Sequence, residues 1–235
     1  NTHNIIKFIR LVFNLLKTEC IIITETNLPE KENLSYFGNS DEANWIYNFS
    51  LAPILVYSLL FEDSNKITKW SKNFPIAKLN NNYLNFIASH DGIGMRPIEG
   101  ILSTNNQKKF LSRLKKNGGE FSYRKVQGVK KKVYEANITL FNAFKCSDFD
   151  KSGIFGFERY MAAHTIMISF DGIPAIYFNS IFGNSNDNSK YIISGNKRDL
   201  NRYRWNKDKI EDHLKDQNSK QNKYYKNMSN ILDIR

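Results

Sequence analysis

Two carboxylates stand where short apolar runs stop: Glu25 after Ile21-Ile22-Ile23-Thr24, and Asp91 after the stretch 83–89, with His90 beside it. Read as strands, these runs place both acids at strand ends, where a carboxylate is costly unless it is paired or used in chemistry. Taken singly, the plainer reading is that Glu25 caps the following turn and that Asp91 satisfies the backbone around Gly92 and Gly94. Taken together, on successive strand ends, they predict a shared pocket. Two carboxylates flanking one bond are the equipment of glycosyl transfer: an acid protonates the leaving oxygen while ionised groups stabilise oxocarbenium charge. His90 adds a group able to hydrogen-bond sugar hydroxyls.

Other chemistries find less support. Asp91-Gly92-Ile93-Gly94 lacks the G-x-G-x-x-G spacing and any following Lys-Ser/Thr, so it does not read as a phosphate-cradling loop. His3, His164 and His213 are scattered, and no Ser-His-Asp or Cys-His arrangement emerges. Cys20 and Cys146 lie far apart without metal-ligand spacing, so neither a disulfide framework nor a zinc site is expected.

The 235 residues carry 34 Lys+Arg against 23 Asp+Glu, a formal net charge of +11, with 14% aromatic side chains available for a core. The aromatic content argues against disorder. No run approaches the roughly 18 consecutive apolar residues of a membrane-spanning helix. Only residues 108–132 resemble a basic patch, and they lack a zinc-finger, RNA-recognition or leucine-zipper signature. A background rich in Asn, Lys and Ile explains the charge as solvated surface. No nucleic-acid or membrane partner is therefore expected, and nothing before Ile5 resembles a signal peptide, which makes the expected location cytoplasmic.

The elements that must position the two acids follow from periodicity. Apolar spacing predicts an amphipathic helix over 5–16, a buried parallel strand over 19–24 and a polar segment over 26–40. Further strands are expected at 44–49, 83–88 and 174–178. Helices are expected at 54–61, opened by Pro53, and at 108–116, 157–169 and 207–234. Residues 121–138 alternate around Gly128 like a hairpin, and 184–188 reads as a polar loop. Strands alternating with helices indicate an α/β parallel sheet. About four strand–helix units without internal repeat suggest half of a (β/α)8 TIM barrel, although an open doubly wound sheet gives much the same pattern.

Four blocks carry a family resemblance: ITETNLPEKENLSYFGNSDEA (23–43), FIASHDGIGMRPIEGIL (86–102), GIPAIYFNSIFGNSND (172–187) and GNKRDLNRYRW (195–205). Together, in colinear order over nearly the whole chain, they resemble the sucrose phosphorylase branch of the α-amylase superfamily, glycoside hydrolase family thirteen. The resemblance implies that Glu25, after the fifth barrel strand, is the general acid/base and that Asp91, after the seventh, stabilises the transition state. It implies that His90 and Arg202 bind the glucosyl ring, and that Tyr134 and Glu135 fall in an acceptor loop within an excursion over 103–145. Asn27 stands where the better-known sucrose phosphorylases have a histidine touching the acceptor. That departure favours the branch members acting on sucrose phosphate or glucosylglycerate.

The implied activity is retaining transfer of glucose from sucrose, sucrose phosphate or glucosylglycerate to phosphate, giving glucose 1-phosphate. The implied partners are a small glucoside and inorganic phosphate, with no metal and no organic cofactor. Arg96, Arg198 and Arg202 are candidates for a basic lining near phosphate. The family's nucleophile is an aspartate after the fourth strand, in an Arg-x-Asp-Ala-type block, and no such block precedes Glu25. The resemblance thus predicts that residues 1–235 form the C-terminal half of a catalytic barrel, strands five to eight, without the first half or the C-terminal β domain, and inactive by itself. A hydrolase or transglycosylase on the same scaffold, or a carbohydrate-binding remnant, are the alternatives.

Overall fold

The computed structural model describes residues 1–234, the side chains of 129 and 130 excepted. Lys130 of the basic run therefore lies outside the described side chains. In chain order the first elements are α1 (Thr2–Leu15), β1 (Ile23–Thr24), α2 (Glu30–Leu34), β2 (Trp45–Tyr47), α3 (Leu51–Phe61) and α4 (Asn65–Asn73). The middle of the chain forms β3 (Asn82–Asn85), β4 (Ile93–Gly94), α5 (Thr104–Lys116), β5 (Glu120–Val126) and β6 (Val129–Asn137). There follow α6 (Leu140–Ala143), α7 (Gly156–Ser169), β7 (Ile173–Pro174), α8 (Phe178–Ile181), α9 (Asn188–Ser194), α10 (Lys207–Lys215) and α11 (Lys220–Ile234). Short 3-10 turns cover Ser35–Phe37 and Lys197–Asn201.

The parallel α/β architecture expected from the alternation is present. Strands β1, β2, β3 and β7 form one sheet in that order, every pair parallel. Parallel neighbours need crossover connections, and the helices between them supply these. All four C-terminal strand ends consequently lie along one edge of the sheet, the edge where open α/β sheets bind ligands. The segment 51–61 is apolar on every side, so it must be buried all round. Indeed Leu51, Ile54, Leu55, Val56 and Leu60 are fully or almost fully enclosed, in one core with Ile87, Phe110, Leu114, Tyr160 and Met167. Pro53 sits in the first turn of α3, where its missing N–H costs no helical bond.

A second sheet grows out of the first. β4 follows the end of β3 by a few residues and pairs antiparallel with β6, Ile93 opposite Ala136 and Gly94 opposite Glu135. β6 pairs with β5 through a turn at Gly128, whose φ of +79° suits glycine. The expected hairpin is therefore real, and it is wired directly to the residues that follow Asp91.

Several expectations need correction. The strand expected over 19–24 shrinks to Ile23–Thr24 and is buried only at Thr24: Ile21 and Ile23 are 52% and 42% exposed. β1 is a sheet edge with a neighbour on one side only. α1 reaches the loop at 41–42 through polar groups, with His3 Nδ1 2.6 Å from Glu42 Oε2 and Lys7 Nζ 3.0 Å from Asp41. Its apolar residues Phe8, Leu11 and Leu15 stay bare.

The strand expected over 174–178 ends at Pro174, and Phe178 opens α8. The polar loop 184–188 is partly a buried connector: Asn186 Oδ1 accepts the Thr139 N–H at 2.8 Å, and its Nδ2 donates to Gly118 O at 2.9 Å. The tail is two helices, α10 and α11, with residues 216–219 between them. The basic run 108–132 is interlaced with acids: Arg113 pairs with Asp148, Lys115 with Glu120, and Arg124 and Lys132 share Glu99.

Candidate active site

The site is built upward from the Asp91 turn. β3 ends at Asn85, and the chain runs on through Phe86 to His90 with Asp91 at the mouth of β4. The Ser89 hydroxyl accepts the Asp91 N–H at 3.1 Å, and Asn201 Nδ2 donates to the Asp91 carbonyl at 3.0 Å. The carboxylate itself receives Arg198 Nη1 and Arg202 Nη2, each 3.0 Å from Oδ1, with His90 Nε2 at 3.4 Å from the same oxygen. Arg202 Nε also donates to the His90 carbonyl at 3.0 Å. Two guanidiniums on one oxygen orient this half-buried carboxylate through charge-assisted bonds.

His90 presents its ring outward, 58% exposed. Glu135 does the opposite: it is 3% exposed and accepts Arg198 Nη2 at 2.9 Å and Nε at 3.2 Å. Its carboxylate is taken up by Arg198 inside the protein. Partial burial works against the charge of Arg198. The bonds to Glu135 and the charges of Glu135 and Asp91 outweigh that and raise its pKa.

Glu25 follows β1 directly, is exposed, and makes no hydrogen bond or ion pair among the described residues. It does not stand on a strand adjacent to that of Asp91, because β2 lies between β1 and β3. With neighbouring strands about 4.8 Å apart, the two ends are separated by roughly 10 Å, room for a sugar ring between them. The gap is floored by aromatic groups at the same sheet edge: Tyr47, Phe49 and Phe86 contact one another with ring centroids 5.1–5.8 Å apart. Burial, and then the charge of Glu25, pushes the Tyr47 hydroxyl above its ordinary pKa. Sequence reasoning missed this floor, although aromatic residues just past two strand ends were a visible signal.

Asn27 belongs to the other wall. Its Nδ2 donates to the Tyr134 carbonyl at 3.4 Å, while its Oδ1 is buried without a partner. A side chain at Gly94 would push against that amide, which would have to move to admit it. Tyr134 thus contributes its backbone, which also accepts the Met95 N–H at 2.9 Å. The structure brings Asp91, His90, Arg198, Arg202 and Glu135 into one cluster, and Asn27 and Tyr134 into a neighbouring contact. Arg96 is not part of the cluster; its nearest acid is Glu32 at 4.0 Å.

Beneath Asp91 lies a narrow cavity among Phe49, Phe86, Ile138, Tyr160, Tyr177 and Asn179. Its closed space, about 20 Å³, holds roughly one water. Burial raises the pKa of the Tyr177 hydroxyl, which donates to Asn201 O at 2.8 Å and so braces the loop carrying Arg202. Among the described residues, no group of three or more His, Cys, Asp or Glu is arranged to hold a metal ion, and no helix is long and apolar enough to cross a membrane.

Fold and site together define an α/β protein with a carboxylate–arginine cluster at the C-terminal edge of a parallel sheet. Comparison gives this class a family context. The chain is 33% identical over 234 residues to a glucosylglycerate phosphorylase of Allomeiothermus silvanus, covering 99% of the chain and 42% of that protein. It is 32% identical over its full length to a glucosylglycerate phosphorylase of Escherichia coli, again 42% of the relative. A sucrose phosphorylase of Bifidobacterium adolescentis is 23% identical over 181 residues, 72% of the chain and 33% of that protein. The structure resembles the sucrose 6F-phosphate phosphorylase of Thermoanaerobacter thermosaccharolyticum, with a TM-score of 0.69 at 21% identity over 88% of the chain and 38% of that protein, a likeness of fold. No protein-family model matches. The chain is a homologue of the glucosylglycerate and sucrose phosphorylases, and it spans about two fifths of the length of the curated relatives it matches.

Proposed function

We propose that these residues form the acid/base and stabiliser side of a retaining glucosyl phosphorylase, on strands five to eight of a (β/α)8 barrel. β1, β2, β3 and β7 are then those strands, and residues 103–145 the excursion that follows the seventh. The supporting observation is the pinning of Asp91 by Arg198 and Arg202 at the sheet edge that also carries Glu25.

In this reading the glucosyl ring lies over Tyr47 and Phe86, between Glu25 and Asp91. Glu25, free of partners and open to solvent, gives its proton to the departing oxygen and later takes or shares the proton of the incoming acceptor. Asp91 faces the oxocarbenium-like carbon, while His90 and Arg202 hold the ring hydroxyls. A carboxylate nucleophile attacks from the face opposite Glu25. Asp91 is already committed to two arginines, and Glu25 is assigned to the acid/base step. The nucleophile must therefore come from elsewhere, and this chain alone releases no glucose 1-phosphate.

Asn27, where a histidine contacts the acceptor in better-known sucrose phosphorylases, favours glucosylglycerate or sucrose phosphate as the glucoside. The test is a hybrid in which these residues replace the matching part of the Escherichia coli relative, supplied with glucosylglycerate and phosphate. Glucose 1-phosphate is expected, with a loss of about 10²- to 10⁴-fold in Glu25→Gln. A folded hybrid that forms glucose instead would establish a hydrolase.

A further inference from the structure

Glu135 is almost wholly enclosed, yet it is one of the carboxylates expected near an acceptor. Its counterion, Arg198, uses every face of its guanidinium: Nε and Nη2 on Glu135, Nη1 on Asp91. The residue before it, Lys197, sends Nζ to the Phe121 carbonyl on β5 at 2.6 Å and lies 5.5 Å from the Tyr123 ring centre. Two consecutive cations of one 3-10 turn thus grip both strands of the hairpin. Gly92 completes the seat, since any side chain there would collide with the Ala136 carbonyl and the Glu135 side chain.

We propose that Lys197 and Arg198 clamp the β5–β6 hairpin onto the Asp91 turn, and that Arg198 is a positioning residue that joins the seating of the hairpin to the setting of the Asp91 carboxylate. The planar guanidinium suits this role because it can bridge two carboxylates in fixed geometry, which a lysine cannot. Removing it leaves Glu135 buried without a counterion, a strongly unfavourable state that drives the hairpin off its seat. The clamp itself stands on geometry alone. What it serves rests on the reading above: it keeps Tyr134, and through it Asn27, in register with Asp91.

The test is amide hydrogen exchange of the chain, with Arg198→Ala, Glu135→Gln, the double variant and Arg198→Lys. Either single change is expected to speed exchange across residues 120–137 by about tenfold, the order of one lost charge-assisted bond. β3 should stay unchanged. The double variant should exchange no faster than Arg198→Ala, and Arg198→Lys should fall between that variant and the parent. The Arg198 Nε–H signal should be protected in the parent and lost in Glu135→Gln, which never touches Asp91. Unchanged hairpin exchange in Glu135→Gln, or additive effects in the double variant, would overturn the clamp. A hairpin that loosens with no change in glucose 1-phosphate binding upholds the clamp and counts against the phosphorylase reading alone.

Discussion

Arg202 holds Asp91 from two directions, with Nη2 3.0 Å from the carboxylate and Nε 3.0 Å from the carbonyl of His90. One side chain therefore fixes both the acid and the peptide that carries it. Arg202→Leu is expected to weaken glucose 1-phosphate binding about tenfold, since charge-assisted bonds contribute about 1.5–3 kcal/mol. It should lower the melting temperature by only a few degrees, because a third of the side chain already faces water. Calorimetric titration and thermal unfolding separate the two effects; a large stability loss with unchanged binding would make Arg202 structural.

Gly92 lies between Asp91 and the hairpin. Gly92→Ala forces its methyl group against the backbone of Ala136 and the side chain of Glu135. Backbone cannot yield as a flexible side chain can, so a cost of about 1–3 kcal/mol is expected. Chemical denaturation should register it. Gly128→Ala is the comparison, since nothing lies near that position although its positive φ imposes its own strain.

Buried His164 makes stability depend on pH. Burial, opposed only in part by its contact with the Tyr160 carbonyl, lowers its pKa to about 4. The unfolded chain, with an ordinary histidine near 6.5, binds the proton more readily. Stability is therefore complete above pH 6.5 and is lost as pH falls from there toward 4, by about 2 kcal/mol between pH 7 and 5. Urea unfolding at the two pH values checks this, and His164→Gln should remove most of the difference.

Asp150 acts in a more acidic window. Its oxygens accept N–H groups of Gly153, Ile154 and Phe155, and Arg159 Nη2 lies 2.8 Å away. Against the opposing effect of burial, the Arg159 and backbone bonds bring its pKa to about 2. Its contribution is thus present above pH 4 and is lost as pH falls toward 2. Asp150→Asn should flatten thermal stability across that range, and a variant that still loses stability as steeply would contradict it.

What could be read from the sequence is what depends on local pattern. The apolar run 51–61, the hairpin around Gly128 and the acids at strand ends all follow from periodicity and turn chemistry. The exposure of Ile21 and Ile23 could not be read, because a β-branched run looks the same whether or not a neighbour covers it. Nor could the fate of Glu135. That depends on Arg198, sixty-three positions away, folding back across the hairpin. Asn186 in a polar stretch signalled a surface loop, yet its amide satisfies backbone groups that would otherwise be buried unpaired. The resemblance put Asp91 and Arg202 around one glucosyl ring; their direct contact, Nη2 to Oδ1 at 3.0 Å, came only from the fold.

In the proposed function the Asp91 edge receives a glucosyl phosphate. Its most direct test is a titration of the isotopically labelled chain with glucose 1-phosphate, followed residue by residue by NMR. Saturable shifts are expected, centred on His90, Asp91, Gly92 and the Arg202 side chain and greatly weakened in Asp91→Ala. Shifts confined to other surfaces, or binding that is indifferent to the loss of Asp91, would contradict it.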